Sequence, residues 1–100
     1  MVERAVKRQE AFKRLEEYLR IIKETVEGMD QHAEVFLFGS VAENRHTDSS
    51  DIDVLIVTKV DPAKVHFKLW NSGIKEPFEI HVQPPEKAEP YKRRAKLIKV

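Results

Sequence analysis

The chain has 100 residues, the size of one modest domain with a single core, and its apolar fraction of 41% excludes wholesale disorder. Charged residues reach 35% but cancel to a formal net charge of +1, so bulk charge offers no attraction for nucleic acid or membranes, and direct nucleic-acid binding is not expected. There is no cysteine, which excludes disulfides and thiolate metal sites, and neither a membrane-length apolar run nor an apolar signal core is present, so a cytoplasmic protein is expected.

Residues 3 to 28 read as one amphipathic helix. Ala5, Phe12, Leu15, Leu19, Ile22 and Val26 are its apolar positions, and from Phe12 onward their spacing places them on one stripe. Lys, Arg and Glu fill the other faces, and Gly28 is the expected stop. Too few clean heptads are present for a coiled coil, so the stripe is expected to pack on a sheet.

AEVFLF, residues 33 to 38, is an apolar run suited to a buried strand. DIDVLIVT, residues 51 to 58, is a second strand, with Ile52, Val54 and Ile56 on one face and Asp51, Asp53, Leu55 and Val57 on the other. Asp61-Pro62 then reads as an N-cap followed by proline in the first helical position. The helix it opens, over residues 62 to 72, is expected to bury Phe67 and Trp70 and to end near Gly73.

PFEIHVQ, residues 77 to 83, is a third strand: Phe78, Ile80 and Val82 share one face, and Glu79, His81 and Gln83 the other. Pro84-Pro85 stops it. The tail is expected to form a short helix after Pro90 with Tyr91, Ala95 and Ile98 inward. No repeat, low-complexity segment or linker interrupts the chain. The order predicts a single α/β (α+β) domain over residues 1 to 100, a two-layer fold in which helices pack on one face of a small mixed sheet.

The segment from Phe36 to Val57, FLFGSVAENRHTDSSDIDVLIV, holds the chemistry. Carboxylates two apart on a strand project from the same face about 6.6 Å apart at the backbone. At an effective dielectric near 20 they repel by about 2.5 kcal/mol if both are ionised. If the third strand is a neighbour, Glu79 joins Asp51 and Asp53, and three converging carboxylates raise their pKa values or hold a cation. Hard oxygen ligands without histidine or thiolate suit magnesium, and two-metal phosphoryl transfer requires such a cluster. Gly39 directly after a strand permits close approach, and a helix opening at Ser40 would offer N–H groups to an anion. Ser50 is a further nucleotide-binding candidate, or simply orients the Asp51 carboxylate. Asp-x-Asp tripeptides are common by chance, and the specific signal is the combination of Gly-Ser, ten residues, Asp-x-Asp and a later strand bearing Glu79.

That combination resembles the signature of the polymerase-beta-type nucleotidyltransferase superfamily, over roughly residues 35 to 83 with the leading helix also in its expected place. The short chain is similar to the minimal nucleotidyltransferase branch, often the antitoxin partner of a HEPN-type toxin. The resemblance implies a polymerase-beta-like nucleotidyltransferase fold in which Gly39 and Ser40 hold the nucleotide phosphates and Asp51 and Asp53 bind two magnesium ions. Glu79 falls where the family places its third carboxylate, commonly Asp, and would help activate the acceptor hydroxyl. The implied reaction moves AMP from ATP to a hydroxyl, a tyrosine of a HEPN-type partner being the acceptor that this branch suggests.

Two other readings stand beside it. One keeps the fold without the chemistry, as a binding module that neutralises a partner by occlusion through the leading helix or the tail. The other transfers to a small molecule such as an aminoglycoside, although larger relatives use an additional acceptor-binding domain for that. Homo-oligomers are possible for a small domain with amphipathic helices. His81 shares a face with Glu79 and is a candidate nucleotide contact or an uninvolved histidine. Arg45, His46 and Thr47 are triphosphate contacts or surface loop, and the basic run at 92 to 96 is an acidic-partner or RNA contact or a solvated helix face. His32 and His66 lack ligand-like spacing, and a zinc site is not expected.

Overall fold

The computed structural model describes residues 2–47 and 49–100, with side chains for residues 8–47 and 49–100. The leading stretch forms two helices, α1 (Val2–Lys13) and α2 (Leu15–Met29), where the stripe predicted one. The interruption is a single residue. Arg14 sits at φ −112° and ψ 30°, yet its N–H still bonds the Glu10 carbonyl at 2.9 Å and its own carbonyl accepts from Tyr18 N–H at 3.1 Å. Neither proline nor glycine marks the bend. The stripe survives it: Phe12, Leu15 and Leu19 pack on the core, and Ile22 and Val26 are fully buried in it. The Ala5 side chain lies outside the described residues.

Gly28 does not stop α2, which runs through it to Met29. The stop is Asp30, whose N–H bonds the Val26 carbonyl and whose carboxylate accepts from His32 N–H at 2.9 Å and from the Thr58 hydroxyl at 2.6 Å. A short acidic side chain that satisfies local backbone donors competes with helix continuation. A glycine that keeps a negative φ does not.

Four strands form one sheet: β1 (Glu34–Phe38), β2 (Ile52–Val57), β3 (Phe78–Gln83) and β4 (Ile98–Lys99), in the spatial order β3-β2-β1-β4. β2 runs antiparallel to β1 with Phe38 opposite Asp53, and parallel to β3 with Asp53 opposite Glu79. β4 adds antiparallel to the outer edge of β1. The central place of β2 explains its composition, because both of its faces are covered. Ile52, Val54 and Ile56 point into the main core with Ile22 and Val26 of α2 and Ala11 of α1. Leu55 and Val57 point the other way, into a smaller cluster with Phe36.

The mixed sheet with helices is as expected, and α1 and α2 share one face with α4 (Pro62–Asn71). The opposite face is covered too, by α5 (Pro85–Arg94), through Ala88 and Tyr91. The tail therefore differs from its expected form. Its helix begins at Pro85, where fixed φ suits a first helical position, and runs on through Pro90 to Arg94, where the Ala95 N–H bonds the Tyr91 carbonyl at 2.9 Å. Ile98 is exposed in β4 and not turned inward.

α4 opens as predicted, with the Asp61 carboxylate accepting from Ala63 N–H at 3.0 Å and Pro62 in the first turn. It closes at Gly73, φ +89°, where Gly73 N–H bonds the Trp70 carbonyl and Ile74 N–H the Leu69 carbonyl. That pair of bonds is the Schellman pattern, and buried Ile74 and Leu69 supply its apolar contact. The buried stripe is Val65 and Leu69. Phe67 and Trp70, expected inside, are 67% and 59% exposed. The reason is phase: positions four apart fall on the sheet side, and Phe67 and Trp70 lie off that line. Among the described residues no helix is long and apolar enough to cross a membrane.

Candidate active site

The site lies on the α5 face, at the end of the sheet where β1 finishes and β2 begins. Phe38 closes β1 opposite Asp53, and the chain turns sharply at Gly39 with φ +76°. A Cβ at Gly39 would overlap the Asp53 carboxylate, lying only 3.1 Å from Asp53 Cγ and 3.2 Å from its Cβ. Glycine is required here twice over, by backbone angle and by the neighbouring acid. Ser40 follows in α3 (Gly39–Ala42), a single turn whose Gly39 and Ser40 carbonyls accept from the N–H groups of Glu43 and Arg45. Gly39 and Asp53 are therefore in direct contact, with Ser40 next in the chain.

The loop back to β2 is tied down by its own side chains. Ser50 Oγ accepts from Thr47 N–H at 2.9 Å, which makes it a loop closure and does not place it on the Asp51 carboxylate. His46 stacks on Phe12 of α1, with ring centroids 5.2 Å apart, and Arg45 pairs with Glu43 at 3.1 Å. Asp48, in the same loop, lies outside the described residues.

Asp51 precedes β2 and is not part of the group of Asp53, Glu79 and His81, whose ligand atoms lie within 4.8 Å of one another. Its Oδ1 is 3.1 Å from Arg8 Nη2, and Arg8 Nη1 donates to the Ser50 carbonyl at 2.5 Å. Nothing in the sequence pointed to Arg8, which comes from α1, far away along the chain. The convergence of all three carboxylates is thus only partly met: Asp53 and Glu79 meet across the β2–β3 register, while Asp51 has an arginine for its counter-charge.

The third member of the central cluster is His81. Glu79 and His81 project from the same face of β3, and one ligand atom from each, with one from Asp53, lies within 4.8 Å of the other two. His81 Nε2 is 3.5 Å from Asp53 Oδ1 and 3.8 Å from Glu79 Oε1. That nitrogen is buried, although the side chain as a whole is 29% exposed, and it has no hydrogen-bond partner among the described residues. Phe38 packs edge-on against the His81 ring at 5.0 Å, and Tyr91 of α5 meets both Phe38 and His81 edge-on. The spacing Glu-x-His on a strand was the sequence signal for this neighbour. What the sequence lacked was the opposing wall, since Phe38 and Tyr91 come from β1 and α5. An orphaned buried nitrogen beside two carboxylates is a donor set that fits a divalent cation.

The model for the nucleotidyltransferase domain family matches residues 15–99. A crystal structure of a candidate nucleotidyltransferase from Sulfolobus solfataricus is similar at 25% identity and a TM-score of 0.50, with 95% of this chain and 84% of that chain covered. No curated protein matches significantly. The matched span contains Gly39, Asp51, Asp53, Glu79 and His81, together with the whole sheet.

Proposed function

The chain belongs to the nucleotidyltransferase domain family, and from that membership we propose a divalent-ion-dependent enzyme that moves AMP from ATP onto a protein hydroxyl. Nucleotidyl transfer is the reaction of the family. Donor, ion and acceptor are the finer reading. The observation that carries it is the placement of Asp53, wedged against the Gly39 turn on one side and paired with Glu79 on the other.

In this reading the triphosphate rests on the Gly39-Ser40 turn, where the missing side chain lets Asp53 lie directly against the turn and the Ser40 hydroxyl can donate. Asp51, Asp53 and Glu79 hold magnesium, which neutralises phosphate charge and lowers the pKa of the acceptor hydroxyl when bound. The acceptor oxygen bonds to the α-phosphorus as the bond to the bridging oxygen breaks. Pyrophosphate leaves with that electron pair, and Glu79, more exposed than Asp53, takes the hydroxyl proton. Arg8 is no obstacle, because a half-exposed ion pair of this kind is worth no more than about 1 kcal/mol and exchanges readily for an ion.

The acceptor we favour is a tyrosine of a HEPN-type partner, with the protein acting as its antitoxin. The test is transfer of label from α-labelled ATP to that partner in the presence of magnesium. We expect transfer by the wild-type protein and a loss of at least about a hundredfold for Asp53→Asn. Label that stays on ATP with every hydroxyl offered, both proteins being folded, counts against the reading. One observation favours the occlusion alternative: α4 presents Phe67 and Trp70 to solvent. Under that alternative Asp53→Asn still neutralises the partner and Trp70→Ala does not.

A further inference from the structure

His81 has no part in the transfer chemistry above, yet its Nε2 is the buried polar atom at the centre of the cluster. We propose that His81 supplies a nitrogen ligand to an ion shared with Asp53 and Glu79, and that this ligand makes the position prefer a first-row transition ion to magnesium. The inference deepens the nucleotidyl-transfer reading and rests on it for the location of the ion.

Distances favour ligation over a simple ion pair. Nε2 is 3.5 Å and 3.8 Å from its two carboxylate oxygens, beyond the usual limit of about 3.2 Å for a direct N–H···O bond. Around a common ion with bonds of about 2.1 Å, adjacent ligand atoms stand about 3.0 Å apart in octahedral and about 3.4 Å apart in tetrahedral geometry. The two separations from Nε2 need only a small contraction. The ring is also held in place. Phe38 meets it at 5.0 Å with an interplanar angle of 69°, and Tyr91 at 6.3 Å and 66°, so two aromatic edges restrict its rotation. Nε2 is the end turned to the acids.

Chemistry then sets the preference. Imidazole is a borderline ligand suited to zinc, cobalt, nickel and iron, whereas magnesium favours hard oxygens and gives up its waters reluctantly. Asp51 belongs to a different environment, beside Arg8, and offers oxygen only. The three carboxylates by themselves suit a hard ion carrying phosphate, and the nitrogen of His81 shifts the position at Asp53 and Glu79 towards a softer one.

The test is zinc titration of the wild-type protein followed by the 15N resonances of the imidazoles, with His32, His46 and His66 as internal controls. We expect His81 Nε2 to shift with saturation at one equivalent while the other three histidines stay in place. Calorimetry should then show cobalt binding weakened about ten- to hundredfold in His81→Gln and magnesium binding changed by less than about threefold. An unmoved Nε2 resonance overturns the proposal without any need for a folded variant, as does equal weakening of both ions. If magnesium-supported label transfer persists in that case, the transfer reading stands and only the ligand role of His81 falls.

Discussion

At Gly39 the backbone takes a left-handed turn with the Asp53 carboxylate where a side chain would be. Gly39→Ala forces a residue with a Cβ into that region, at a cost of about 1–2 kcal/mol for the backbone alone, and displaces the acid as well. Chemical denaturation should report at least that loss, and the label assay a larger relative fall in transfer. A second residue-scale prediction concerns Asp30. The Thr58 hydroxyl, and after it the His32 N–H, hold its pKa below the usual carboxylate value. A depressed native pKa contributes stability that is present above the unfolded value, about 3.9, and is lost as pH falls through the native one. Thr58→Val removes the larger cause, so the Asp30 carboxyl carbon should titrate at higher pH by NMR. A titration unchanged from wild type contradicts the assignment.

Among the elements, α4 separates pattern from phase. Its boundaries follow from Asp61, Pro62 and Gly73, all local signals, but the side it buries depends on where β2 and α2 lie. Leu69→Ala should cost about 2–5 kcal/mol in denaturant unfolding, since Leu69 is 1% exposed. Phe67→Ala should cost less than about 0.5 kcal/mol. Trp70→Ala should cost less than about 1 kcal/mol, the size of its contact with Lys75, whose Nζ is 4.6 Å from the ring centre. Equal costs for Leu69 and Trp70 contradict the observed face. In α5 the same lesson holds differently. Ala88 and Tyr91 are three apart and bury together, but Pro90 between them made the segment read as a helix start.

On the scale of the whole molecule, the site is a meeting of distant segments: the end of β1, the start of β2, β3 beside it, α5 beneath and α1 at its rim. Arg8 joins α1 to Ser50 and Asp51 across 42 and 43 residues. Arg8→Gln should therefore leave global stability within about 1 kcal/mol while speeding amide hydrogen exchange at Ser50 and in the loop before it. Unaltered exchange there means that the tether does not hold the loop.

By itself the sequence determined the three main strands, the alternation of faces along β2 and β3, and the cap of α4. Each of these depends on neighbours a few residues away, on periodicity, or on a backbone angle that only glycine tolerates. The tertiary structure alone decided that α5 covers the second face, that β4 extends the sheet, that Phe67 and Trp70 stay outside, and that Arg8 answers Asp51. It also turned His81 into a buried nitrogen between two acids. Those outcomes depend on which surfaces meet across tens of residues, and no local pattern encodes the far side of a contact.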